Sequence, residues 1–171
     1  YLEAGQNIGP LMAKAEWQHD GIALLYNHAS IQMSWILDAQ AHGSTWVNRN
    51  GDWDRGSSHL VKKAWENMLR DEGLQYNYVA YDELVRNGLS DEYKVLILPA
   101  AICLSDAEAD RIREFCAAGG VVIADYLPGL WDQHGKGRPG GGALDDMFGM
   151  AHDPNMKSDD VFGTSLWVEV N

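Results

Sequence analysis

The sequence predicts an α/β domain of three layers, in which a mostly parallel sheet lies between two layers of helices. Two runs, 22–26 and 95–99, are apolar throughout, as expected of strands that are buried on both faces. Segments with helical spacing alternate with the strands along the chain, which favours parallel strands joined by right-handed crossovers. The simplest strand order is then 2-1-3-4.

Composition limits the partners of this domain. The chain has 171 residues, which suits one domain, and 46% of them are hydrophobic, enough for a substantial core. Its formal net charge is −12, so nucleic acid and anionic membrane surfaces are not expected partners, whereas a neutral sugar is not repelled. No apolar run approaches the roughly 20 residues that span a bilayer. No targeting signal is recognisable, and the compartment stays unknown.

The first third of the chain contains two predicted helices around the first strand. Residues 7–17 favour a short helix with Pro10 in its first turn. Gly21 opens the first strand, and Ser30 is expected to cap a helix that runs to about Ala41.

A long loop follows at 43–56, rich in glycine and without helical spacing. It carries Trp46 and Trp53, which are difficult to bury in so polar a segment. Three roles are open for these side chains: contact with a neighbouring subunit or domain, local packing, or stacking on sugar rings.

Ser57 or Ser58 is expected to cap the next helix, which should end at Gly73. Its apolar positions predict one buried face; they are Leu60, Val61, Ala64, Trp65, Met68 and Leu69. A strand at 76–80 and a short helix from Asp82 to Gly88 follow.

After the strand at 95–99, Ser105 and Glu108 have the spacing of a capping box, which predicts a helix start. That helix should bury Ile112, Phe115 and Cys116 and end at Gly119-Gly120, before a strand at 121–125. Neither Cys103 nor Cys116 has the spacing of a zinc or redox motif, so both are expected to be buried apolar side chains.

The last part of the chain is less regular. The stretch 128–142 has the glycines and prolines of a loop, and 143–150 favours one or two helical turns. The alternation in 164–170 is typical of an edge strand or of an exit into a further domain.

Ligands of open α/β sheets bind beyond the carboxyl ends of the strands, which locates the candidate site. The polar and aromatic candidates for this crevice are Asn27, His28, Ser30, Tyr81, Asp125 and Tyr126.

The known chemistries of such sheets are poorly matched at these positions. Segment 27–31 has no glycine cradle for a phosphate, so no nucleotide or flavin cofactor is expected. An amidotransferase would need a nucleophilic cysteine at a sharp elbow, but segment 123–129 contains neither Cys nor Ser. Ser30, His28 and Asp125 lack a G-x-S-x-G motif, and no motif has metal-ligand spacing. We therefore expect no catalytic residue and no metal.

Residues 95–129 contain a strand ending in Leu-Pro-Ala, then Leu-Ser-Asp, a helix, Gly-Gly, a strand and the turn Gly129-Leu130-Trp131-Asp132. This order of motifs resembles the middle, trimerisation domain of family-42 glycoside hydrolases, the β-galactosidases. The glycine-rich stretch 136–149 also resembles that family, and the similarity extends over about 20–150. The loop with Trp46 and Trp53 has no match in the pattern.

The resemblance implies a flavodoxin-like, glutamine amidotransferase-like fold and a role in assembly. The sugar-cleaving glutamates of that family belong to a preceding barrel, so the resemblance transfers no catalytic residue to this chain. Residues 1–19 are then the tail of a preceding catalytic region, 20–150 the α/β domain, and 151–171 an extension or linker. The implied partners are the catalytic domain of the parent chain and two further copies in a homotrimer. The alternative is a module that binds carbohydrate or another small molecule in the strand-end crevice.

Overall fold

The sheet has four parallel strands in the predicted order. The computed structural model describes residues 4–16, 18–41 and 56–153. The strands in these ranges are β1 (Ile22–Tyr26), β2 (Tyr76–Ala80), β3 (Val95–Leu98) and β4 (Val121–Ala124), arranged as β2-β1-β3-β4. All three strand pairings are parallel, which confirms the flavodoxin-like α/β prediction.

Helices precede, connect and follow the strands. A π-helical turn, Ala4–Ile8, leads into α1 (Gly9–Met12). The remaining helices of the described ranges are α2 (His28–Ala41), α3 (Ser57–Asp71), α4 (Tyr81–Asn87), α5 (Asp106–Ala117) and α6 (Asp145–Phe148). None of the helices in these ranges is long and apolar enough to cross a bilayer.

Three helix starts differ from the sequence prediction. Helix α2 begins at His28, because the side chain of Asn27 accepts a hydrogen bond from the Ser30 amide and so takes the capping role expected of Ser30. Helix α3 begins at Ser57 after Gly56, without a side-chain cap. Helix α4 begins at Tyr81, one residue before Asp82.

The helix predicted over 7–17 is shorter than expected. Only Gly9–Met12 is α-helical, with Pro10 in its first turn, and none of its side chains is buried. The predicted strand at 164–170 lies outside the described residues.

The two faces of the sheet are covered unequally. Helices α4 and α5 cover one face and enclose the larger core cluster, which includes Leu25, Leu84, Leu96, Leu98 and Ile112. On the other face, Leu69 and Trp65 of α3 pack against Ile22, Leu24 and Ile97. A third cluster joins α2 to the segments that follow β3 and β4, through Leu37, Ile102, Cys103, Leu130 and Trp131.

The apolar face predicted for α3 is too wide. Leu69 is buried, but Leu60 and Met68 are 50% and 48% exposed, and Ala64 is exposed as well. Helical spacing identifies apolar positions, but it does not say how wide a surface the sheet offers to the helix. The prediction that both cysteines are buried holds for one of them: Cys103 is fully buried, whereas Cys116 is only half-buried.

Candidate functional site

The carboxyl ends of the strands carry the candidate residues, as the parallel topology requires. Asn27 directly follows β1, Tyr81 follows β2, and Asp125 and Tyr126 follow β4. Ser30 lies in the first turn of α2, close to the segment after β3. The side-chain partners of these residues show what each can do.

Asn27 is bound to a buried carboxylate rather than facing a ligand. Its Nδ2 donates to Glu108 Oε1 at 2.5 Å, and its Oδ1 accepts from the Ser30 amide at 2.7 Å. Glu108 is only 2% exposed, and its other oxygen accepts from the amide and the hydroxyl of Ser105. This network joins the start of α2 to the start of α5, and it holds the Asn27 side chain inside the protein, where the residue is buried.

Ser30 is likewise engaged inside the protein. Its hydroxyl donates to the Cys103 carbonyl and accepts from the Cys103 amide, both at 2.9 Å, and the residue is 2% exposed. A hydroxyl held in this way has no general base beside it and cannot reach a substrate. Burial, together with the nearby charges of Asp132 and Glu108, raises the pKa of the Cys103 thiol to about 12, so the thiolate nucleophile does not form at neutral pH.

Asp125 connects three elements. One carboxylate oxygen accepts from the Ala100 amide at 2.8 Å, after β3, and the other accepts from Trp65 Nε1 of α3 at 2.6 Å. Ala100 has a positive φ of 44°, a strained conformation for a residue with a side chain. We interpret the carboxylate as a support for this turn.

The elbow after β4 keeps a strained backbone without a nucleophile. Leu127 has a φ of 38°, in the left-handed region that non-glycine residues seldom adopt. Its side chain packs against the cluster around Ile102 and Trp131. A sharp turn of this kind exposes the nucleophile in hydrolases, but here it directs an aliphatic side chain into the core.

His28, Tyr81, Asp125 and Tyr126 are the candidates that remain accessible. His28 and Asp125 are exposed, Tyr81 is 46% exposed, and Tyr126 is half-buried, with burial raising the pKa of its phenol. Trp46 and Trp53, the other candidates, lie outside the described residues.

A tyrosine cluster on the flank of β2 was missed by the sequence analysis. Tyr78 lies edge-on to Tyr26 and to Tyr76, at centroid distances of 6.3 and 5.7 Å. Lys62 lies 5.9 Å from the Tyr78 ring, and the Tyr78 hydroxyl donates to Glu66. The alternation of Tyr76 and Tyr78 along the strand was the signal that could have revealed it.

Beside this cluster is a cavity of about 460 Å³, lined by Arg70, Leu74, Gln75, Tyr76, Asn77 and Tyr78. It lies against the outer edge of the sheet and includes none of the predicted strand-end residues.

Arg138 and the buried Asp145 hold the glycine-rich loop in place. Arg138 donates to the Leu104 carbonyl and pairs with Asp106, which fixes the loop to the start of α5. Asp145 accepts from the Gly142 amide and from both the amide and the ring of His152. Burial opposes ionisation of Asp145, but these hydrogen bonds outweigh it and lower its pKa. Gly142 leaves no space for a Cβ beside the Asp145–His152 pair.

Within the described ranges, no three His, Cys, Asp or Glu side chains are grouped to hold a metal ion. The fold and the hydrogen bonds at the strand ends define the class of protein. It is a parallel α/β domain in which Asn27, Ser30 and Asp125, at the carboxyl ends of the strands, make hydrogen bonds within the domain itself.

The comparisons with known proteins identify the family within that class. The profile of the β-galactosidase trimerisation domain matches residues 20–158, most of the chain. The chain belongs to this family.

Relatives and solved structures agree with this assignment. The chain is 33% identical to β-galactosidase BbgII of Bifidobacterium bifidum over 88 residues, which is 50% of this chain and 12% of that protein. It is 28% identical to β-galactosidase BgaB of a Geobacillus species over 111 residues, which is 58% of this chain and 16% of that protein. The β-galactosidase structure from Bifidobacterium adolescentis superposes with a TM-score of 0.59 at 26% identity, over 83% of this chain and 60% of that one. The chain therefore spans less than a fifth of the curated relatives that it matches.

Proposed function

We propose that this chain is the non-catalytic assembly domain of a longer β-galactosidase, in which it joins three subunits into a trimer. The match of residues 20–158 to the trimerisation-domain family carries the proposal. Residues 1–19 are then the tail of a preceding catalytic region, and 151–171 an extension or linker.

The residues at the strand ends support an assembly role for this domain, with catalysis in a different domain of the longer protein. Asn27, Ser30 and Asp125 are occupied by structural hydrogen bonds, and the Cys103 thiol is buried. A domain with this arrangement contributes surfaces, while bond cleavage takes place in the catalytic domain elsewhere in the longer protein. The same bonds leave few groups for a carbohydrate, so a sugar-binding module is the less favoured reading.

Measurements of galactoside hydrolysis test the claim that catalysis takes place outside this domain. The longer protein should cleave a chromogenic β-galactoside, and the 171-residue chain alone should not. In the longer protein, Cys103→Ala should leave the turnover number unchanged, as should His28→Ala at the accessible strand end. Hydrolysis by the 171-residue chain, or loss of turnover in a folded Cys103→Ala protein, would contradict the proposal.

A further inference from the structure

Strand β2 forms one edge of the sheet, and the cavity of about 460 Å³ opens along it. Tyr76 and Tyr78 contact α3, so they lie on the face of the sheet that α3 covers. Asn77, between them in the strand, lies on the opposite face. Because residues of both faces line the cavity, it opens at the edge itself. We call it the β2-edge cavity, and its volume is within the roughly 300–1,000 Å³ of small-molecule sites.

Main-chain groups of β2 point into this edge. Both the amide and the carbonyl of Gln75 bond to Asp20, which lies on the side of β1. Successive residues of a strand direct their main-chain groups to opposite sides. The amides and carbonyls of Tyr76 and Tyr78 therefore point away from β1, as donors and acceptors along the edge.

Two tyrosine rings supply the aromatic part of the lining. The rings of Tyr76 and Tyr78 are perpendicular, with an interplanar angle of 90° and centroids 5.7 Å apart. Tyr78 is 40% exposed. Perpendicular rings do not form the parallel slot that would hold a flat aromatic ligand. A ring face and a neighbouring ring edge instead fit a saturated ring, whose C–H groups pack on aromatic carbon.

Polar side chains stand beside these rings. Gln75 and Asn77 each bring an amide that can donate and accept hydrogen bonds, and Arg70 brings a guanidinium with several N–H donors. One nitrogen of Arg70 donates to Asn67 Oδ1 at 2.6 Å, which holds the guanidinium in place. Such a lining matches a ligand with many hydroxyl groups.

The charges around the β2-edge cavity are balanced. Burial raises the pKa of the Tyr76 phenol, the Glu66 carboxylate raises it further, and the Arg70 guanidinium acts in the opposite direction. Among the described residues that line the cavity, Arg70 alone carries a charge. The chain as a whole carries −12, so it repels phosphorylated and acidic ligands. These charges favour a neutral ligand.

We propose that the β2-edge cavity binds a neutral pyranose sugar. The C–H face of the sugar packs on the tyrosine rings, and its hydroxyls bond to Arg70, Gln75, Asn77 and the outward main-chain groups of β2. This site lies apart from the strand-end crevice, so the internal bonds of Asn27 do not affect it. It adds a binding role to the domain that is separate from assembly.

Chemical-shift mapping on the ¹⁵N-labelled chain tests the site, with methyl β-D-galactopyranoside and methyl β-D-glucopyranoside as probes. A bound sugar should give saturable shifts of the Gln75 and Asn77 side-chain amides and of the Tyr76 and Tyr78 main-chain amides. The amide of Tyr81, outside the cavity, should not move. No saturable shift at millimolar sugar, or equal shifts with glycerol, would overturn the proposal. Tyr76 and Tyr78 shifts that follow protein concentration and ignore sugar would assign the edge to strand pairing between copies, which also overturns it.

Two variants separate the aromatic and the polar contributions. Tyr76→Leu and Arg70→Ala should each raise the dissociation constant about fivefold. The matched controls are Tyr81→Leu and Arg86→Ala, which change an exposed tyrosine and an arginine in the last turn of α4, and they should bind as the wild type does. Arg70 is exposed, so its variant decides the outcome if Tyr76→Leu does not fold. Wild-type affinity in folded Arg70→Ala protein would refute the assignment.

Discussion

Removing the Glu108 carboxylate should destabilise the domain strongly, because this buried group joins α2 to α5. Glu108→Ala removes the acceptor of Asn27 Nδ2 and of the Ser105 amide and hydroxyl. Asn27 is 5% exposed, so its amide is left without a partner, and each such loss costs about 1–3 kcal/mol. Relief of the buried charge offsets part of this cost. We expect a net loss of about 3 kcal/mol in the free energy of unfolding.

Urea titration followed by circular dichroism measures this loss. Glu114→Ala is the matched control on the same helix, since the Glu114 side chain is 63% exposed and pairs with nearby Arg111; it should cost about 0.5 kcal/mol or less. Glu108→Gln should fall between the two, because its amide places a donor where Asn27 or Ser105 also donates. If Glu108→Ala and Glu114→Ala cost the same, the network does not support the fold as we describe it.

Three further predictions concern other contacts of the strand-end region. Asp125→Ala should cost about 1 kcal/mol and shift the Trp65 fluorescence, because the indole loses its acceptor; an unchanged spectrum would contradict the contact. The folded-state pKa of Asp145 is lowered, so its contribution to stability is complete above an unfolded pKa of about 4 and is lost as the pH falls through the folded value. Asp145→Asn should therefore flatten the acid limb of the curve of stability against pH, and an unaltered limb would argue against the stabilising hydrogen bonds to Asp145. In the folded chain at neutral pH, iodoacetamide should modify half-buried Cys116 before Cys103, whose pKa is raised to about 12; equal rates by mass spectrometry would refute the burial argument.

Local sequence signals predicted the elements well. The apolar run of β1 identified a central strand, and it pairs with β2 and β3 on its two sides. The spacing of Ser105 and Glu108 predicted a capping box that the structure contains. These signals work because their physical cause lies within a few residues.

Contacts between distant residues could not be predicted in this way. Asn27 and Glu108 are 81 positions apart, and Ser30 and Cys103 are 73 apart. The strand-end residues were correctly located at one edge of the sheet, but their sequence did not show that internal bonds occupy Asn27, Ser30 and Asp125. Helix start positions also shifted, since the cap of α2 depends on which polar side chain the preceding strand directs toward it.

The number of apolar positions that a helix buries depends on how much of the helix surface the sheet can contact. Leu60 and Met68 have the spacing of core residues, yet both remain half exposed. Apolar residues at helical spacing can lie in the core or on the surface, so the spacing alone does not show which of them are buried.

The central claim is that this domain assembles three subunits, and the mass of the full-length protein in solution tests it most directly. Sedimentation equilibrium at micromolar concentration should give three times the mass of one chain. A mass of one chain over the whole concentration range would contradict the account.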